Sequence, residues 1–269
     1  MDATADRTAT RQRLDEALVV RGLADTRSRA RALILARDVL VNGAVVDRAG
    51  TAVKASDAVA LVEKARFVSR GGEKLDHALS RFGISLDGQV AADIGASTGG
   101  FTDCLLQRGA ARIYAIDVGY GQLAEKLRGD PRVVVLDRTN VRHLSGLPEP
   151  VDIATVDVSF ISLKLVLPVV RGLLRPDGVA VPLIKPQFEA GPKDVGKGGV
   201  VRNPSIHRRV LDEVLASAVG AGYGCVGLTA SPLRGPAGNV EFLAALRLVA
   251  GASDIEAMVE AAMREAAEL

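Results

Sequence analysis

Four charged residues stand where a charge needs a reason. Lys74 lies in Ser69-Arg70-Gly71-Gly72-Glu73-Lys74-Leu75, and Asp157 follows the apolar run ending at Val156. Lys185 follows Pro182-Leu183-Ile184, and Glu241 opens a late apolar run after Gly238-Asn239-Val240. The chain has 34 basic residues, of which only 8 are lysine. Against that bias, a lysine at a strand end points to a task that arginine cannot perform. Arginine stays protonated, whereas a buried lysine can give up its proton. The chemistry implied is proton transfer at a cleft where the ends of two strands meet. Taken singly, each of the four reads more simply as an exposed helix or strand terminus.

A second cluster begins at Asp93-Ile94-Gly95-Ala96-Ser97-Thr98-Gly99-Gly100-Phe101-Thr102. Glycines allow a sharp turn and a close backbone approach, and the helix that follows offers free N–H groups. Gly95, Ser97, Thr98, Gly99, Gly100 and Phe101 are therefore candidate cofactor contacts. The dinucleotide spacing G-x-G-x-x-G is absent, and Asp93 suits an ammonium or sulfonium centre better than two phosphates. Asp117, 22 residues after Gly95, is placed to accept hydrogen bonds from a ribose. Asp137 and Arg138 would border an adenine. Spacing alone favours S-adenosylmethionine over a dinucleotide, with a plain strand–helix connection as the third reading.

These residues need a frame, and the apolar periodicity supplies it. Strands are expected at Val90–Ile94, Arg112–Val118, Val133–Leu136, Ile153–Asp157, Val179–Ile184, Cys225–Ala230 and Val240–Val249. Helices are expected at Phe101–Arg108, Leu123–Arg128, Leu163–Leu174, Ser205–Gly222 and Ser253–Leu269. The alternation implies an α/β fold, a doubly wound sheet with ligands at the carboxyl ends of its strands. No helix separates the last two strands, so that edge should be antiparallel. Gly191–Asn203, with Lys193, Lys197 and Arg202, reads as a mobile substrate loop or an ordinary surface loop.

The formal net charge is +2, which on its face discourages a nucleic-acid partner. Charge is unevenly spread, however. Residues 11–70 hold 12 Lys+Arg against 7 Asp+Glu, and residues 71–269 hold 21 against 23. The basic part reads as a short helix from Leu14, a second helix over Arg27–Arg37 capped by Thr26, and β-structure around an Asn42-Gly43 turn. A small module with this asymmetry is expected to bind nucleic acid. Its pattern, RLDEALVVRGLADTRSRARALILARDVLVNGAVV, resembles the S4-type RNA-binding domain over residues 12–63. Arg13, Arg21, Arg27, Arg29, Arg31 and Arg37 are the candidate RNA-binding residues; the plainer reading is a solvated arginine face.

Composition narrows the rest. Apolar residues are 48% and charged residues 25%, which excludes wholesale disorder. Cys104 and Cys225 are too few for a disulfide framework or a four-ligand zinc site. His77, His143 and His207 have no partner at metal-ligand spacing, so no metal is expected. Aromatic residues at 3% argue against an extensive base-stacking platform. Met1–Thr10 is polar, unlike a signal peptide, and Val214–Leu233 is too rich in glycine for a membrane span. A cytoplasmic protein with no membrane partner is expected.

The motifs SRGGEKL, DIGASTGGFTD, DVGYGQL, DRTN, DVSFISL, IKPQFE and GNVEF occur in this order. With the basic module, they resemble the TlyA family of S4-domain ribosomal RNA methyltransferases, whose catalytic domain is FtsJ-like. The resemblance implies a Rossmann-like sheet that uses S-adenosylmethionine and a catalytic tetrad of Lys74, Asp157, Lys185 and Glu241. It also implies ribose 2′-O-methylation of cytidine in 16S and 23S ribosomal RNA, with ribosomal subunits as partners; some members are labelled haemolysins. Lys185 would be the base, with Asp157 and Glu241 orienting amines and hydroxyl, and Asp157 also bordering the methyl donor. Phe67 stands where members often carry Trp. The expected organisation is a tail over 1–10, an S4-type domain over 11–64, a linker over 65–70 and a catalytic domain over 71–269, acting as a monomer.

Overall fold

The structure, a computed structural model, describes residues 11–62, 65–248 and 254–269. The expected tail over 1–10, Val249 and Ser253 lie outside them. The chain divides into two compact units that meet between Ala65 and Arg66.

The first unit contains β1 (Gln12–Arg13), α1 (Leu14–Val20), α2 (Arg27–Leu35), β2 (Val39–Val41), β3 (Ala44–Val45), β4 (Ala52–Val53) and β5 (Val59–Leu61). Leu14, Leu18, Ile34 and Val39 form its buried centre. Thr26 Oγ1 accepts a hydrogen bond from Arg29 N at 3.2 Å, so the expected cap is present. Strand β2 pairs antiparallel with β3 and β5, turning through Asn42 and Gly43, both at positive φ. The short β1–β4 pair was not expected, because two residues carry no periodicity to read.

The second unit contains α3 (Gly71–Arg81), β6 (Val90–Ile94), α4 (Gly100–Gln107), β7 (Arg112–Ile116), α5 (Glu125–Arg128) and β8 (Val133–Leu136). It continues with β9 (Val151–Val156), α6 (Leu163–Leu173), β10 (Leu174–Ile184), α7 (Pro186–Glu189), α8 (Pro204–Gly220), β11 (Gly224–Ala230), β12 (Phe242–Arg247) and α9 (Ile255–Ala267). The seven strands run in the order β11-β12-β10-β9-β6-β7-β8. Strands β6 to β10 are mutually parallel, and β12 is antiparallel to both neighbours, as expected for that edge. One face is covered by α6, α8 and α9, packed through Leu163, Val210 and Val259; the other carries α3, α4 and α5 through Leu75, Leu105 and Leu127.

Strand order reverses between β6 and β9, and a crevice opens at the carboxyl ends of strands at such a point. Register then places the chemistry. Ile94 lies opposite Val156, Val156 opposite Pro182, and Ile184 opposite Phe242. Asp157, Lys185 and Glu241 therefore stand one residue beyond neighbouring strand ends.

Two expectations need correction. Helix α3 falls in a stretch where none was assigned, although Leu75, Ala78 and Leu79 are buried at helical spacing. Of the expected linker over 65–70, Ala65 falls in the first unit and the remainder from Arg66 onward in the second. Phe67 is 3% exposed, and Val68 N donates to the Asp103 carboxylate on α4 at 2.8 Å.

Candidate active site

The β6–α4 turn is the floor of the site. Gly95 has φ +84, and a Cβ there would lie 2.3 Å from the Asp157 carbonyl oxygen. Any side chain would push apart the ends of β6 and β9. A similar constraint ties the starts of α3 and α4: a Cβ on Gly100 would lie 3.0 Å from Gly72 N and closer still to Ser69 Oγ. The two Gly-Gly pairs thus let two helix N-termini approach, bringing Lys74 over the turn.

Lys74 and Glu241 form a buried ion pair, with Nζ 2.5 Å from Oε2. Lys185 Nζ stands 2.6 Å from Asp157 Oδ1 and donates to Ser159 Oγ at 3.0 Å. The Asp157 contact is a charge contact: Oδ1 is buried and receives no well-directed hydrogen bond. Gln187 Nε2 reaches Glu241 Oε1 at 3.4 Å. Lys74, Asp157, Lys185 and Glu241 all line one cavity of about 240 Å³, together with Ser69, Arg70, Thr98, Gly100 and Phe101.

A larger cavity of about 780 Å³ adjoins it, sharing Gly95, Ser97 and Asp157. Its walls come from β6, β7, the segment after β8 and the segment 158–162. Asp117 Oδ2 accepts from Ser97 N and its Oδ1 from Gly119 N, each at 2.7 Å, which holds that carboxylate at the cavity edge. Ser97 and Phe160, both non-glycine residues at positive φ, line it. Such backbone strain persists where the surroundings enforce it, as at ligand sites. Segment 158–162 is held from α7, because Glu189 accepts from Ser162 Oγ at 2.6 Å and Leu163 N at 2.8 Å. Burial raises the Glu189 carboxyl.

The cavity suits S-adenosylmethionine. Its volume is that of a ligand pocket, and two carboxylates, Asp117 and Asp157, line it with Arg142 as the cation. That donor set disfavours a pyrophosphate and favours a sulfonium and a ribose.

Not every expected contact reaches a cavity. Asp93 is fully buried and accepts from Thr102 Oγ1 at 2.6 Å and Thr155 Oγ1 at 3.1 Å, fastening α4 to β6 and β9. Desolvation pushes its carboxyl up to about 7, against those two hydroxyls. Gly99 turns at φ +97 against Leu123 and Leu127. Asp137 accepts from Arg128 at 3.0 Å and Gly121 N at 3.2 Å, and the Arg138 guanidinium lies 4.3 Å from the Tyr120 ring centre. The chain beyond them, Thr139 to Arg142, lines the cavity instead. Ser159, Phe160 and Gln122 also line or border the site and were not expected as contacts. Phe160 is 91% exposed, with its ring centre 4.9 Å from that of Phe188. An apolar ring offered to solvent beside strand ends was the available signal.

The expected RNA-binding arginines divide into two sets. Arg13, Arg27 and Arg31 all reach the fully covered Asp15 carboxylate, at 3.0, 3.2 and 3.0 Å. Those guanidiniums hold it well below the usual carboxylate range, Arg13 first. Arg21 donates to the carbonyls of Asp57 and Lys54. Arg29 and Arg37 have no carboxylate within ion-pair distance among the described residues.

His207 Nε2 donates to the Val201 carbonyl at 2.9 Å, and His77 contacts Thr229 Oγ1 at 3.3 Å. Among the described residues, no group of three or more His, Cys, Asp or Glu stands together as a metal site.

The FtsJ-like methyltransferase family model matches residues 67–248, and the S4 domain model matches residues 12–59. The chain is 49% identical over 243 residues to the 16S/23S rRNA (cytidine-2′-O)-methyltransferase TlyA of Mycobacterium tuberculosis, covering 89% of this chain and 91% of that protein. It is 42% identical over 235 residues to Hemolysin A of Brachyspira hyodysenteriae, covering 86% and 98%. A solved structure from Streptococcus thermophilus, described as a hemolysin, superposes with TM-score 0.74 at 40% identity over 97% of each chain.

Proposed function

The chain belongs to the FtsJ-like methyltransferase family, and on that premise we propose that it methylates the ribose 2′-hydroxyl of a cytidine in 16S or 23S ribosomal RNA. The observation that carries this reading is the shared wall of the two cavities. Gly95, Ser97 and Asp157 face both the 780 Å³ cavity and the Lys-Asp-Lys-Glu cluster. S-adenosylmethionine supplies an electrophilic methyl group on a sulfonium, for an in-line displacement by an oxygen.

This chain's own residues do the rest. Asp117, with Gly95 and Ser97 of the β6–α4 turn, holds the donor, and Asp157 borders it where the cavities meet. The ribose enters the smaller cavity, where Lys74 and Glu241 fix its hydroxyl. Lys185 takes the hydroxyl proton, with its amine oriented by Asp157 and Ser159. Proximity can supply roughly 7–11 kcal/mol when the geometry is ideal, and a positioned base typically adds about 10²–10⁴-fold. The S4-type unit holds the RNA through arginines not engaged by Asp15. The protein acts in the cytoplasm as a monomer.

Incubating the purified chain with unmethylated ribosomal subunits and methyl-labelled S-adenosylmethionine, then digesting the RNA to nucleosides, tests this reading. Labelled 2′-O-methylcytidine is the expected product. Label on a base, or none in RNA, overturns the assignment.

The names of two relatives favour a second reading, a membrane-lytic protein. Among the described residues no helix is long and apolar enough to cross a membrane. Dye release from liposomes by the purified chain would support that reading; retained dye would remove it.

A further inference from the structure

A third cavity, of about 420 Å³, lies outside the machinery described above. It is bounded by the start of α8, the turn 234–240 and the last turn of α9. Arg202 and Arg234 stand on its rim and His207 on its floor, and among the described residues no carboxylate lines it. Most arginines of the second unit are ion-paired, including Arg66, Arg108, Arg112, Arg128, Arg175 and Arg208. Arg202 and Arg234 have no carboxylate within 4 Å among the described residues; Arg234 spends one N–H on the Gly238 carbonyl, at 3.2 Å. One wall is apolar, formed by Val200, Val201, Val240, Met263 and Ala266.

The cavity is built rather than incidental. Asn239, 2% exposed, accepts from Val201 N through Oδ1 at 2.9 Å and donates to the Gly199 carbonyl at 2.9 Å. This pins the second half of segment 191–203 against the turn preceding Glu241, where a mobile loop was one expectation. His207 is 5% exposed, and burial lowers its pKa, so the ring is neutral near pH 7. Because Nε2 donates to Val201, Nδ1 is the acceptor tautomer.

Position gives the cavity a meaning. Pro236 lines the tetrad cavity, whereas Ala237 and Gly238 line this one. The two sites thus flank a single turn, to which each contributes an adjoining residue, Pro236 to one and Ala237 to the other. A strand whose ribose sits on Lys74 and Glu241 has its adjoining nucleotide within reach. Two guanidiniums without a carboxylate partner match a phosphodiester, an apolar wall matches the face of a base, and an imidazole acceptor matches a base N–H.

We propose that the cavity bounded by Arg202, Arg234, His207 and Ala266 is a nucleotide subsite, seating a nucleotide of the substrate RNA strand next to the one methylated. The subsite rests on the RNA-methylating reading and adds to it a contact from the catalytic unit itself.

The test uses the full chain with three variants: Arg202→Ala/Arg234→Ala, the corresponding double Lys variant, and Ala266→Trp, which fills the cavity without changing charge. Binding to total ribosomal RNA is measured without S-adenosylmethionine across a salt series. S-adenosylmethionine affinity, KM and kcat are measured separately. The double Ala variant is expected to bind RNA about tenfold more weakly with a salt slope shallower by about one. Its KM rises in proportion, while kcat and S-adenosylmethionine affinity hold. The double Lys variant keeps the slope, and Ala266→Trp raises KM without altering it. Unchanged RNA affinity and slope in the double Ala variant overturn the subsite. So does a loss confined to kcat or to S-adenosylmethionine affinity. A wild-type chain that binds RNA but transfers no methyl overturns the methylation reading alone, because the salt series still tests the cavity.

Discussion

In the small unit, Asp15 accepts on both oxygens from three arginines: Oδ1 from Arg13, and Oδ2 from Arg13, Arg27 and Arg31. In the large unit, Asp157 has a single lysine at 2.6 Å and a buried oxygen without a directed hydrogen bond. Both are carboxylates among cations, yet one is saturated and the other is not. Asp15 is covered by the guanidiniums themselves, and its charge joins α1 to α2. The Asp157–Lys185 and Lys74–Glu241 pairs retain capacity for a further hydrogen bond, which a site that must bind a hydroxyl requires. Saturated pairs build structure; unsaturated pairs can receive a ligand.

The sharpest way to break this contrast is at Lys185. Lys185→Ala is expected to lower methyl transfer at least about 100-fold while ribosomal RNA affinity holds, as read from labelled methyl incorporation beside a binding isotherm. Undiminished incorporation would remove Lys185 from the mechanism. A second comparison lies within the small unit. Arg29→Ala with Arg37→Ala should weaken RNA binding and flatten the salt slope by about 0.7–0.9 for each phosphate no longer neutralised, with no change in unfolding temperature. Arg27→Ala with Arg31→Ala should lower the unfolding temperature, because Asp15 then keeps only one of its three partners. Equal thermal effects from both pairs would erase the distinction.

The next test uses pH. Asp15 is depressed in the folded state, so the stability it contributes is present above the unfolded value near 3.9 and is lost as pH falls below it. Thermal melts of the wild type should fall between about pH 5 and pH 3, and Asp15→Asn should remove part of that fall. Asp93 gives the opposite sign. Its folded value is raised to about 7, so stability is fullest below about pH 4 and declines as pH rises to 7. Asp93→Asn should therefore melt relatively higher at pH 8 than at pH 5, compared with wild type. A difference constant with pH would show that Asp93 does not ionise in this window.

Much of the frame was readable from the chain. Strands Val90–Ile94 and Val133–Leu136 coincide with their expected bounds, because short apolar runs flanked by polar turns leave few alternatives. Helix α3 escapes a local reading because its Gly71-Gly72 start resembles a turn. Those glycines instead admit the Phe67 ring and the start of α4, a long-range reason no local window contains. The place of Asp93 before a glycine turn suggests a ligand contact. Its side chain instead accepts from Thr155 on the neighbouring strand, 62 residues away along the chain.

By itself, the sequence determined the two-part organisation, the α/β alternation, the antiparallel edge and the three charged residues Asp157, Lys185 and Glu241 at strand ends. These are properties of local pattern and residue type, which act within a few residues along the chain. Tertiary structure alone decided which charges meet. Lys74 and Glu241 are 167 residues apart and pair at 2.5 Å because strand order and two close-packed helix starts bring them together. Likewise, six arginines of one sign on one module looked equivalent until a buried aspartate claimed three of them. Charge is counted along a chain, but its use depends on distance, and distance is set only when the core closes.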